Sequence, residues 1–281
     1  KQLELGDREL PPFDEYRIYK NIQEAVMREE KRKNRRIRMP LFFKWTVACA
    51  IVLLVIGVGY NFYQSHNEAN LVYREVCAVR GEKLLVLLPD GSRVWLNADS
   101  KLTYPEQFAK YNRNVTLEGE AYFEIAENKK SPFQVLAENV KIQVTGTCFN
   151  VKAYASDKVI KTTLDEGSIN IGHVQSRRPM QQMLPGQTAV YEKRSNVIKI
   201  KTDRYHDDAS SWKSNRLIFR NASLKEVLTT LSRHFDIEIT VKNEKIASFT
   251  YDFVCKGNDL NYVLEVMQSI TPVSFKKISE Y

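Results

Sequence analysis

Along most of this chain polar and apolar residues alternate, but between Leu41 and Tyr60 the alternation stops. Eleven of these twenty positions are Leu, Ile, Val or Phe, and Val47 to Val58 offers no polar face. At roughly −0.3 to −0.6 kcal/mol each near a bilayer centre, the eleven contribute about −3 to −7 kcal/mol toward insertion. Twenty helical residues span about 30 Å, the thickness of a hydrocarbon core. Lys44 lies in the first turn and can extend its amine to the headgroups. Residues 40–63 therefore read as one transmembrane helix. Arg28, Lys31, Arg32, Lys33, Arg35, Arg36 and Arg38 precede it, and the first basic residue after Lys44 is Arg74. Positive charge stays on the cytoplasmic side, which puts the N-terminus inside and the C-terminus in the periplasm, anchored in the inner membrane. A cleaved signal peptide fits poorly, because some forty residues come first and the bulky GYNFYQ offers no small-residue cleavage site.

Residues 72–202 alternate with period two. KLLVLLPDGSRVWLN (83–97) has two β-rich arms around Asp90-Gly91, a hairpin signal. RNVTLEGEAYFEI (113–125) alternates on either side of Gly119, where a bend is expected. NVKIQVTGTCFNVKAY (139–154), VIKTTLDEGSINIGHV (159–174) and QTAVYEKRSNVIKI (187–200) continue the pattern. The expectation is an all-β domain of antiparallel, half-buried strands, sandwich or solenoid-like. VRGE, LEGE and DEGS repeat a glycine beside acidic residues between strands.

After a linker near Asp203–Ser211, residues 212–281 follow a different pattern. RLIFRN predicts a strand with Leu217 and Phe219 toward a core, and Ile218 and Arg220 facing the other way. ASLKEVLTTLSRHF predicts a helix opened by a Ser223/Glu226 capping box, with Leu224, Val227, Leu228, Leu231 and Phe235 on one face. DIEITVK reads as a strand, and the unit repeats as SFTYDFV, DLNYVLEVMQSI and PVSFKKI. The expectation is a small α+β domain of two β-α-β halves.

Of the net charge of +8, residues 1–40 hold +3, and the dense basic cluster is the one beside the span. That placement argues for topology and anionic lipid, not direct nucleic-acid binding. Cys49 falls in the span, and Cys77, Cys148 and Cys255 are far apart with no CxxC, so buried unpaired thiols are expected and a zinc site is not. No GxSxG, SxxK, HExxH or phosphate-cradling loop occurs. Glu118 and Glu120, two apart on a strand, share a face by alternation and could serve glycoside hydrolysis. Gly119 between them makes solvated turn residues the simpler account. No catalytic residue, cofactor or metal is expected.

The remaining segment is the tail, residues 1–39. PPFDEYRIYKNIQEAVMREEK predicts a helix with Asp14 as N-cap and Phe13 stapled to Ile18. Ile18, Tyr19, Ile22, Ala25 and Val26 form an apolar stripe, and a tail with no core of its own needs a partner for it. The alternative is a helix that simply continues the span.

LPDGSRVWLNADSKLTYPEQF, RNVTLEGEAYFEIAENKKSPFQV, VTGTCFNVKAY and LDEGSINI, in this order, resemble the FecR family of membrane-anchored anti-sigma factors. W…LIFRNASLKEVLTTLSRHFDIEI is similar to the domain that closes such regulators in Bacteroidota, which in turn resembles the short secretin/TonB N-terminal module. The resemblance runs from about Val79 onward. It implies a cytoplasmic segment that binds an extracytoplasmic-function sigma factor, and the stripe residues Ile18, Tyr19, Ile22 and Val26 are the candidate contact. It also implies periplasmic domains that sense the signalling domain of a TonB-dependent outer-membrane transporter, and Ile218 and Arg220, on the outward face of the RLIFRN strand, are the candidate contact. Family members usually have a multi-helix cytoplasmic domain. Here about one helix is present and residue 1 is Lys, so a truncated sigma-binding part is expected. The rival readings are a bitopic envelope-assembly or secretin-associated adaptor and, more remotely, an anchored glycan-binding or hydrolytic enzyme.

Overall fold

The computed structural model describes residues 15–33, 49–60, 72–108, 112–176, 178–242, 246 and 248–278. Residues 1–70 and 71–281 form two compact units. In the first, α1 (Glu15–Lys33) is a 19-residue helix and residues 49–60 are helical. Among the described residues no helix is long and apolar enough to cross a membrane. Half of the expected span, residues 40–48 and 61–63, and the Phe13–Asp14 cap lie outside them.

Among the described residues the second unit carries thirteen strands before residue 203. They are β1 (Tyr73–Ala78), β2 (Leu84–Leu87), β3 (Arg93–Leu96), β4 (Ser100–Pro105), β5 (Arg113–Glu124), β6 (Phe133–Ala137), β7 (Val140–Val144), β8 (Cys148–Ala153), β9 (Val159–Glu166), β10 (Ile169–His173), β11 (Gln181–Met183), β12 (Gln187–Glu192) and β13 (Val197–Thr202). The twelve-residue β5 organises them. Its first half pairs with β4 and β6, and its second half with β3 and β8. One sheet therefore runs β1-β4-β5-β6-β7-β10-β11 and the other β2-β3-β5-β8-β9-β12-β13. Their inner faces share one core, with Leu96, Leu102, Leu117, Phe123, Phe133, Ile142, Phe149 and Leu164 fully buried. The expected bend at Gly119 is where β5 changes sheets. Gly119 has φ +102°, and a Cβ there would lie 2.7 Å from the Ser100 Cα. The glycines of VRGE and DEGS also take positive φ, +77° at Gly81 and +91° at Gly167.

The hairpin at 83–97 forms as β2 and β3, with Leu88 N–H donating to the Ser92 carbonyl (2.9 Å) and Asp90 Oδ1 accepting from Ser92 N–H (3.0 Å). Antiparallel pairing holds elsewhere but fails between β5 and β6, which run parallel. Parallel neighbours need a long crossover. Here the second half of β5 supplies it, passing through the other sheet before the chain returns at Phe133. Buried Arg113 ties that return down. Its guanidinium donates to the carbonyls of Ser131 (2.8 Å) and Ala126 (3.2 Å) and to Asp90 Oδ2 (2.8 Å) in the hairpin turn.

After a 3-10 helix (His206–Ser214), β14 (Arg216–Ser223) pairs antiparallel with β15 (Thr250–Lys256), and α2 (Leu224–Phe235) and α3 (Leu260–Ile270) pack on them. Leu217, Phe219, Leu224, Val227, Leu231, Tyr251, Val263 and Met267 form this second core. The two further strands expected here are not formed among the described residues. Residues 237–241 and 273–278 have no ladder partner. Their alternation is nevertheless genuine: Ile237, Ile239, Val273 and Phe275 are half-buried, while Glu238, Thr240 and Ser274 are exposed. One-sided burial of an extended segment gives the same period as a paired strand. The capping box is half made: Ser223 Oγ accepts from Glu226 N–H (3.3 Å), but the Glu226 carboxylate faces Lys161 of β9 (3.7 Å). The four cysteines are unpaired, but Cys77 and Cys49 are exposed and only Cys255 is buried.

Candidate functional site

The two cores of residues 72–278 meet along a polar seam. It begins at Glu120, the first residue after the β5 bend, which is buried at 8% exposure. A buried carboxylate is tolerated only when its oxygens are hydrogen-bonded. Asn97 Nδ2 donates to Oε2 (2.9 Å) and Asn150 Nδ2 to Oε1 (3.0 Å). Asn150 Oδ1 in turn accepts from the indole N–H of Trp212 (3.1 Å), which the 3-10 helix inserts at 7% exposure. Lys83 Nζ closes the chain by donating to the Trp212 carbonyl (2.7 Å) and to Asn215 Oδ1. Burial pulls the Lys83 amine below its ordinary pKa, and the charge of Glu120 acts against that.

Arg233, on α2 and 6% exposed, is the module's main hold on the β domain. Its guanidinium donates to Ser156 Oγ (2.7 Å) and Asp157 Oδ1 (3.0 Å), stacks over the Tyr154 ring at 3.5 Å, and lies 3.7 Å from Asp99 Oδ2. Its backbone carbonyl accepts from Gly81 N–H (2.8 Å). Beside the 3-10 helix, Lys213 Nζ sits 3.3 Å over the Tyr122 ring, and burial lowers its pKa. Burial, followed by the nearby Asp165 carboxylate, pushes the Tyr122 phenol up.

Among the described residues, one group brings metal-type donors together. His206 Nδ1 lies 3.8 Å from Asp165 Oδ1 and 3.2 Å from Asp207 Oδ1. Asp207 is 88% exposed on its side chain, and an exposed acidic group beside a histidine is common without a metal ion. The seam holds charges and amides whose chemistry is positional: it fixes one module against another and offers no nucleophile with an adjacent base.

Ile18, Tyr19, Ile22 and Val26 all fall on α1 and are 45%, 68%, 57% and 52% exposed. Ile218 and Arg220 point away from the core, as their alternation predicts, with Leu217 and Phe219 buried on the other face. Ile218 is half-buried. Arg220 is engaged inside the chain, donating to Asp208 Oδ2 (3.0 Å) and Asp252 Oδ1 (3.3 Å) and lying over the Tyr205 ring at 4.6 Å. Glu120, Asn150, Trp212 and Arg233 were not legible as a site. The available signal was Trp212, a large aromatic at the boundary between the expected linker and the C-terminal domain.

The chain belongs to the FecR family: FecR protein matches residues 75–170, and FecR, C-terminal, matches residues 216–280. Among solved structures it is similar to two crystal structures of a candidate anti-sigma factor from Parabacteroides distasonis ATCC 8503, at 2.50 Å and 1.65 Å resolution. Each superposes with a TM-score of 0.68 at 26% identity, covering 95% of that chain and 74% or 73% of this one. No curated protein matches.

Proposed function

We propose that this chain is an anti-sigma factor whose tail binds an extracytoplasmic-function sigma factor in the cytoplasm. One helix, residues 40–63, carries it across the inner membrane, and residues 72–281 sense a TonB-dependent transporter in the periplasm. The observation that carries the reading is α1, a helix whose apolar stripe is exposed along its length. Family membership and the likeness to a candidate anti-sigma factor support the same direction. A stripe of this kind is a helix-in-groove ligand for a partner protein. Transporter occupancy would act at the C-terminal module, around Ile218 and Arg220, and the seam would convey it to the β domain.

The test is Ile22→Asp with Val26→Asp. Two unpaired charges in a buried contact should release the sigma factor, raising reporter output and abolishing co-purification. Wild-type repression and capture by this variant would remove α1 as the contact. Topology is checked separately by labelling an engineered Ser65→Cys in intact spheroplasts, with the four native cysteines replaced. Labelling only after lysis would reverse the orientation. For a secretin-associated adaptor, Ile22→Asp with Val26→Asp would leave sigma-dependent transcription untouched.

A further inference from the structure

Edge strands carry N–H and C=O groups without ladder partners, and proteins usually protect them with charged or strongly polar side chains. Among the described residues the two sheets end in β1, β11, β2 and β13. β1 presents exposed Arg74 and Glu75, β11 exposed Gln181 and Gln182, and β13 exposed Lys199 and Lys201. β2 has no such protection. Its sequence is Leu84-Leu85-Val86-Leu87, running into Leu88, and Leu85 and Leu87 are 58% and 69% exposed. The Leu88–Ser92 bond sets the parity: Leu84, Val86 and Leu88 turn their backbone groups toward β3. By alternation, Leu85 and Leu87 aim theirs outward.

We propose that β2 is a self-association edge, through which two copies of this chain pair antiparallel about a two-fold axis at Val86. A two-fold contact must be self-complementary, and residues 84–88 read Leu-Leu-Val-Leu-Leu in both directions. With the axis at Val86, Leu85 faces Leu87 of the second copy and Leu87 faces its Leu85. Both are hydrogen-bonded pairs, so all four outward groups on each strand are used. Shifting the register by two residues, which moves the axis by one to Leu87, places Leu85 against Pro89, which has no N–H. Shifting it the other way places Leu87 against Lys83. In the central register Lys83 falls opposite Pro89 and is directed into the seam at the Trp212 carbonyl, while Glu82 falls opposite Asp90, whose carboxylate is already paired with Arg113 of its own chain. On the outer face the four leucines form one cluster, beside half-buried Trp95, the neighbour of Leu85 across the hairpin. The same leucines would give a heterologous strand no reason to stop at this register.

The experiment uses purified full-length chain in non-ionic detergent with the exposed thiols removed by Cys49→Ala and Cys77→Ala. Chains bearing Leu85→Cys and Leu87→Cys are mixed and oxidised with copper phenanthroline. A hydrogen-bonded antiparallel pair holds its Cα atoms about 5.5 Å apart, within disulfide reach. The mixture should give a disulfide-linked dimer. Either chain alone should cross-link about tenfold less, because like positions lie some 8–9 Å apart. Leu87→Lys should leave the melting curve unchanged and weaken dimerisation by sedimentation about tenfold or more, since it sets a cation against the facing strand edge. Equal cross-linking in all combinations, no cross-linking in the mixture, or a wild-type chain that sediments only as monomer would each overturn the proposal. The cysteine result stands whether or not the lysine variant folds.

Discussion

Removing Arg233 should loosen the C-terminal module from the β domain. Arg233 is 6% exposed, and its guanidinium makes its side-chain contacts with residues of the β domain: Ser156, Asp157, Asp99 and the Tyr154 ring. A hydrogen bond to a charged group contributes roughly 1.5–3 kcal/mol, and a desolvated cation over an aromatic face about 2 kcal/mol. Asp99 is 46% exposed on its side chain, so its pairing at 3.7 Å adds about 1 kcal/mol at most. Asp157, left behind by Arg233→Ala, is 23% exposed and regains some water, which trims the loss. The expected destabilisation of docking is about 3 kcal/mol.

Urea titration followed by tryptophan emission and by circular dichroism checks this, since Trp212 reports on the seam itself. Arg233→Ala should shift the seam transition to lower urea by about 1–3 M and separate it from loss of the β domain. Arg233→Lys keeps the charge but cannot reach Ser156 and Asp157 while covering the Tyr154 ring, and should fall between. Coincident transitions with the midpoint moved by less than about 0.3 M would refute the reasoning. Module docking would then rest on the contacts that remain, the Trp212–Asn150–Glu120 chain, Lys83, the Gly81–Arg233 backbone bond and the Lys161–Glu226 pair.

Gly119→Ala should cost about 3–5 kcal/mol in equilibrium unfolding, because a positive φ is combined with a Cβ placed 2.6 Å from the Ser100 Cβ. Ser100→Gly should rescue it only in part, since the Ser100 Cα remains in the way. His234 should make stability pH-dependent in one direction. Burial holds its pKa below the ordinary 6.5 while Nε2 bonds the Gly257 carbonyl at 2.6 Å. The unfolded chain therefore binds a proton before the folded one does, and stability that is full above about pH 6.5 declines as pH falls below it. The melting temperature should be lower at pH 5.5 than at pH 7.5, with the difference reduced in His234→Gln; a flat wild-type profile would contradict it.

What could be read from the sequence was what neighbours in sequence decide. The 83–97 hairpin depends on a turn and two short arms, and its register is set within those fifteen residues. The α2 stripe depends on a 3.6-residue period, and Val227, Leu228 and Leu231 are buried as that period requires. Glu118 and Glu120 show where such reading ends. Two residues apart on a regular strand they would share a face, but the positive-φ residue between them rotates the chain. Glu118 is exposed and pairs with Lys101 at 3.0 Å, while Glu120 is buried between Asn97 and Asn150. The bend itself was legible from Gly119; its effect on facing needed the angle. The parallel β5–β6 pairing was not legible because it depends on a strand serving two sheets, which no local period encodes.

The same bend links fold to function. β5 is the element that both sheets share, and Glu120 follows directly on the residue where it crosses between them. A pull on the C-terminal module acts on Trp212, and through Asn150 on Glu120, by hydrogen bonds of 3.1 and 3.0 Å. Displacing Trp212 would leave Asn150 Oδ1 buried and unpaired, a cost of about 1–3 kcal/mol. That is enough to shift a two-state equilibrium roughly five- to a hundred-fold. Under the function proposed above, a partner that binds the module better in one docking state would draw on this differential free energy. Its route into the β domain runs through a strand common to both sheets, not through a flexible tether.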